Sequence, residues 1–468
     1  MAGGYAMKET HLIKRRQTVK LGLLKVVKEL FPEETLKTAY SIHEGVFCKL
    51  AGSILSPREV VQIEKALRQW GERNEKIEYL FQRDGYYHYE VGDMVLKVLY
   101  PVHPCAAEME SFRILPYRDG FIVDFGDSGK NGHIPLIPPD TLSQTYDQTQ
   151  KWLENINMEV VSDVNAYVTL GDSVELISIA EALQEKEISD IADQILSQRK
   201  SLRVLLISGP SSSGKTSFAH RISTQLRVNG LRPVPLSLDD YFVDRDKTPL
   251  DENGRYDFEN LVALDLPLLQ KHVQLLIEGQ KVETPLFDFV TGNRMRTKTK
   301  PLQIGADDIL VIEGIHALNP GLLPNISRSH FFKIYISALF ELNVDLGNRV
   351  PTTEVRMLRR IVRGDRFRAT LPEETLNQWA SVRRGEYDNV FKYQEEADVM
   401  FNSSLLYEMN LMRPFAEASL AKIPNDSPHY ETKQRLLNLL SFFEPIEQAR
   451  VPFNSILREF IGGSIYFS

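Results

Sequence analysis

The sequence predicts an α/β protein: a parallel sheet with helices on both faces in the second half, preceded by an α+β region. Three observations predict it. After Arg203 the short apolar runs "VLLIS", "PVPLSL", "DILVIE", "FKIYIS" and "DVMFN" alternate with helical stretches. Near-continuous apolar strands separated by helices imply a parallel sheet buried on both sides. Ahead of Arg203 the texture differs, with helical periodicity giving way to period-two alternation from about residue 76. Finally, the first of the apolar runs leads straight into a glycine-rich loop, "GPSSSGKTS".

The elements follow in order. "KLGLLKVVKELFP" sets Leu21, Leu24, Val27 and Leu30 at helical spacing, and Pro32 stops the helix. "SPREVVQIEKALRQW" opens with Ser56 and Glu59 as a capping box for a second amphipathic helix. These make an α+β module over 1–75. Over 76–142, "DGYYHYEVGDMVLKVLY" and "DGFIVDFG" read as strands between Gly/Asp turns, and "HIPLIPPDTLSQ" as a proline-rich connection. Residues 143–200 read as a charged helical link, 201–420 as the α/β unit, and 421–468 as a helix, "ETKQRLLNLLSFF", with a tail.

Composition excludes several classes. The chain has 468 residues, enough for two to four domains, with 43% hydrophobic and 25% charged residues. A net charge of −8 argues against wholesale attraction to nucleic acid or an anionic membrane. Cys48 and Cys105 are too few for a disulfide framework and fit a reducing cytoplasm. No apolar run approaches the roughly 20 residues of a membrane span, and "MAGGYAMKETHLIKRR" lacks the apolar core of a signal peptide. The expectation is a soluble cytoplasmic protein.

The loop carries the chemistry. Gly209, Gly214, Lys215 and Thr216 fit G-x-x-x-x-G-K-[ST], between an expected strand and an expected helix. Backbone N–H groups from Gly209 through Ser211, Ser212, Ser213 and Gly214 to Ser217 would cradle phosphate oxygens at a helix N-terminus. Lys215 would neutralise the β- and γ-phosphates, and Thr216 would bind Mg2+. Glu313, ending "DDILVIE", is the expected second magnesium-orienting carboxylate. His316 nearby serves either the phosphates or the structure. In "SLDDYF", Asp239 and Asp240 would point to opposite faces if the strand ran through them.

Beyond single motifs, "GPSSSGKTS", "SLDDYFVDRDKTP", "YDFENLVALD", "PLFDFVTGNR", "ILVIEGIHALNP" and "RRIVRGDRFR" occur in an order that resembles the uridine kinase/phosphoribulokinase family over roughly 200–420. The resemblance implies a P-loop kinase moving the γ-phosphate of ATP, with Mg2+, to a hydroxyl of a small molecule, a nucleoside first. It makes Asp239 the general base and Asp240 the bystander. It places Tyr241, Glu259, Phe287 and Arg294 around the acceptor, with core packing an equal reading for Phe287. A tyrosine of the uridine kinase pattern is Phe287 here, and a histidine falls near Gly292, which leaves the acceptor open to other nucleosides or a sugar. It makes "EVRMLRRIVRGDRFRA" a lid, with Arg360 on the nucleotide and Arg363 on the transferring phosphoryl group. Arg383 and Arg384 are further candidates for acceptor or phosphate contact.

The front, "VKELFPEETLKTAYSIHEGVF" with "LSPREVVQIEKALRQW", resembles the editing-type module of threonyl-tRNA synthetase. The two histidines of that module's metal site fall at Gln17 and Leu21, so the editing chemistry does not carry over. His103 and Cys105 read mainly as an ordinary loop. A nucleotide-switched RNA-binding protein, using this front on RNA, is the alternative function. A homo-oligomer is compatible with either reading, and Arg458 in the apolar tail calls for an anionic partner.

Overall fold

Every residue of the strands Val204–Ser208 (β1) and Phe331–Ser337 (β4) is buried, so both faces of the sheet they belong to are covered. The structure, a computed structural model, describes residues 2–42, 45–126, 133–134, 140–251, 254, 256–288 and 291–467. The expected proline-rich connection falls in part, at 135–139, outside the described residues.

Strands β1, Arg232–Ser237 (β2), Asp308–Glu313 (β3), β4 and Val399–Asn402 (β5) form one sheet in the order β5-β4-β1-β3-β2. Every pairing in it is parallel. These are the expected apolar runs, with ends shifted by a residue or two. Strand β2 contains Pro233 and Pro235 and sits at the edge. A proline has no N–H to give a second neighbour, so the edge is the place that tolerates it. The helix Lys215–Val228 follows β1 and buries Phe218, Ile222 and Leu226. The Arg221 guanidinium on this helix bonds Gln184 and Glu185 of the preceding long helix, Ser173–Ser197.

The chain divides into two compact units, and neither is continuous in sequence. One comprises 1–176, 340–377 and 406–447; the other comprises 177–339, 378–405 and 448–468. The expected boundaries at 200 and 420 differ from this division. The reason is long-range pairing that local pattern does not reveal. Within the first unit, Thr38 N donates to Leu346 O at 3.0 Å and Asn343 donates to Thr38 O at 2.7 Å. Glu354 accepts from Tyr100 and pairs with Arg435 at 2.9 Å.

The first unit holds the helix Ala2–Leu30, which packs on the helix Pro57–Glu72 through Val19, Leu21, Val60, Leu67 and Trp70. Gly22 makes the close approach: a methyl there would lie 2.4 Å from the Trp70 ring. The Ser56–Glu59 capping box is present in both directions. A four-stranded antiparallel sheet and the three-stranded meander Glu78–Val98 complete the front.

Candidate active site

In a parallel sheet, functional groups gather beyond the carboxyl ends of the strands. Here those ends present the loop after β1, Ser237 of β2 and Glu313 of β3. Pairing in register puts Glu313 beside Ser237 on one side and Ile207 on the other.

The loop from Gly209 to Gly214 has the geometry a phosphate cradle needs. Gly209 admits no side chain, because a Cβ there would lie 2.1 Å from the Ile336 carbonyl oxygen of β4. Gly214 takes φ of 83°, the left-handed region open to glycine, and caps the N-terminus of the next helix. Ser212 also has a positive φ, 61°. Lys215 folds back so that Nζ donates to the carbonyls of Gly209 at 2.9 Å and Pro210 at 3.0 Å. Ser211 N donates to Glu386 at 2.9 Å, and Arg383 pairs with the same fully buried carboxylate at 3.1 Å. Ser217 donates to Glu459 at 2.8 Å.

The two aspartates part ways, though not by strand alternation. Strand β2 ends at Ser237, and Leu238–Tyr241 is a 3₁₀ turn. Ser237 Oγ caps that turn by accepting Asp239 N at 3.3 Å, and it donates to Glu313 at 2.9 Å. Asp239, half-buried, is thereby tied to the Glu313 corner. Burial first, and the negative charge of Asp239 second, push the Glu313 carboxyl up to about 7; Lys215 pulls the other way. Asp240 instead accepts the N–H of Phe287 at 3.3 Å. The two side chains are thus separated by a turn and not by strand alternation.

The other candidates are placed as follows. All three guanidinium nitrogens of Arg294 are engaged, on the carbonyls of Tyr241 and Phe242 and on Asp265, each at 2.9 Å. It therefore braces the turn that carries Asp239. Tyr241 is fully buried and its hydroxyl meets His272 Nδ1 at 2.9 Å. Phe287 is buried against Phe242. Gly292 has φ of 70° beside Arg245, where a Cβ would lie 2.4 Å from the Arg245 side chain. Glu259 abuts the helix backbone at Gly385, where a Cβ would lie 2.1 Å from its own. Arg384 pairs with Asp251 at 2.9 Å. His316 is buried and held neutral, its pKa pushed down to about 4 by burial.

Arg360 and Arg363 are half-buried on the helix Thr352–Phe367 of the first unit. On the same helix Arg359 is fully buried in a two-point pair with Glu408, so this arginine serves the core of its unit. Arg458, in the tail, donates to the backbone carbonyls of Gln448, Val451, Pro452 and Gly462. Among the described residues, no group of three or more His, Cys, Asp or Glu side chains could by itself hold a metal ion. Mg2+ asks less of the protein: it keeps waters and takes one or two carboxylates plus substrate phosphates. The like-charged Asp239–Glu313 corner, with Thr216 near the loop, fits such an ion.

Sequence reasoning missed Ser237, Glu386 and Glu459. Ser237 stood two residues before Asp239 and carried no separate signal. Glu386 and Glu459 lie far along the chain, and nothing local marks them as loop partners.

Residues 204–405 match the Phosphoribulokinase / Uridine kinase family. This stretch is a P-loop kinase domain of that family. A uridine kinase from Mycoplasma genitalium is 29% identical over 198 residues, covering 42% of this chain and 83% of that protein. A uridine kinase from Chloroflexus aggregans is 28% identical over 203 residues, covering 42% and 85%. Among solved structures, a D-glycerate 3-kinase from Cryptococcus neoformans aligns with a TM-score of 0.33 and 16% identity, over 44% of this chain and 89% of that one. No helix of the structure, among the described residues, is long and apolar enough to cross a membrane.

Proposed function

We propose that the kinase domain transfers the γ-phosphate of ATP to a hydroxyl of a nucleoside. The observation that carries this is the corner where Asp239 and Glu313 meet beside Lys215 of the phosphate loop, in a segment matching uridine kinases. Asp239 accepts the acceptor's hydroxyl proton and orients the oxygen for in-line attack on the γ-phosphorus; the bond to the ADP oxygen breaks. The loop N–H groups from Gly209 to Ser217 and the Lys215 ammonium hold the phosphates. Lys215 must leave the Gly209 and Pro210 carbonyls to do so. Thr216 and Glu313 would hold Mg2+, which would supply neutralisation of charge on the β- and γ-phosphates. Arg360 and Arg363 as phosphate contacts rest on the sequence pattern alone.

For the acceptor, we read Glu259 as the ribose-side acid and Arg294 as a brace. Phe287 and Gly292 offer no side-chain hydrogen bond where the uridine kinase pattern has a tyrosine and a histidine. A pocket that lacks a polar partner discriminates weakly among bases. The front of the chain we read as a synthetase-type module, supported by its sequence likeness. The test is a screen of nucleosides and sugars with ATP, measuring ADP and product mass. A nucleoside 5′-phosphate is expected, with pyrimidine and purine acceptors differing by less than about tenfold. A sugar as the sole acceptor would refute the nucleoside reading.

A further inference from the structure

The family-matched segment ends at residue 405, yet the compact unit containing the phosphate loop also includes 448–468. This tail is a built object. Arg458 is buried and gathers the carbonyls of Gln448, Val451, Pro452 and Gly462. Gln448 closes the knot on Ile461 O at 3.2 Å, and Ile465 N bonds Phe453 O at 3.1 Å. From this knot three side chains reach the start of the helix Lys215–Val228. Ile456 stands where a Cβ on Gly214 would lie 2.7 Å from its Cγ2. Glu459 accepts the Ser217 hydroxyl at 2.8 Å. Tyr466 stacks on His220, with ring centres 4.9 Å apart and planes within 5°.

We propose that Glu459 is a positioning residue of the nucleotide site, acting through Ser217 on the helical turn that carries Lys215 and Thr216. The inference rests on the nucleotide reading above. Ser217 is fully buried, and Glu459 holds its hydroxyl in one direction. A hydrogen bond to a charged group is among the stronger ones a protein makes. Placed here, it fixes the first helical turn, whose N–H groups and side chains meet the phosphates.

The experiment is calorimetric binding of a non-hydrolysable ATP analogue to the full chain, with and without Mg2+. The proteins are wild type, Glu459→Gln, Ser217→Ala and the double variant. The expected result is that each single variant weakens the Mg2+-nucleotide about tenfold, that the double variant is no weaker than either single one, and that the KM for the acceptor is unchanged. Glu459→Asp should recover part of the loss. If Glu459→Gln fails to fold, Ser217→Ala leaves the tail intact and carries the same expectation. Wild-type-like affinity in Ser217→Ala or Glu459→Gln, additive losses, or a parallel rise in acceptor KM overturns the proposal. A wild-type chain that does not bind the nucleotide overturns the nucleotide reading itself, and this inference with it.

Discussion

Replacing Asp239 by Asn should move activity and stability in opposite directions. Asparagine keeps the shape and loses both the proton acceptor and the charge. On the activity side, a positioned general base contributes roughly 10²- to 10⁴-fold, so kcat should fall by that factor. On the stability side, the starting point is Glu313, whose carboxyl is raised from 4.5 to about 7. At about 1.4 kcal/mol per pH unit, that rise corresponds to about 3 kcal/mol of disfavoured charge. Burial is the larger cause and Asp239 the second, so removing the aspartate should return a minor part of that at pH 8. The assays are steady-state ADP release with the acceptor present and thermal unfolding at pH 8. The expected outcome is a kcat at least about 100-fold lower with a melting temperature equal to or above that of wild type. A variant with kcat within a few fold of wild type would refute Asp239 as the base. A variant that melts several degrees lower would refute the like-charge account of the corner.

Two further outcomes test the structure itself. Arg359→Ala leaves Glu408 buried and unpaired, and should destabilise the chain by about 3–5 kcal/mol. Denaturant unfolding should find the double change Arg359→Met/Glu408→Leu much milder. Glu187 sits on the helix Ser173–Ser197, where burial, helped by Asp190, pushes its carboxyl up to about 7. Its folded-state value exceeds its unfolded one, so its contribution is present below about 4.5 and is lost as pH rises toward 7. Glu187→Gln should therefore raise the melting temperature more at pH 8 than at pH 5, and an equal shift at both would contradict that account.

Local sequence pattern was enough to specify the parallel sheet and the phosphate loop: apolar runs of strand length, and glycines and a lysine at fixed spacing. Tertiary structure decided what lies far apart along the chain. It removed Arg359 from the basic lid segment by burying it on Glu408, and it turned Arg294 into a brace on Tyr241, Phe242 and Asp265. It assigned 340–377 and 406–447 to the front unit and brought the tail's Glu459 to Ser217. A side chain's role depends on its burial and on the one partner that satisfies its charge. Both are set by contacts across hundreds of residues, which periodicity and spacing do not encode.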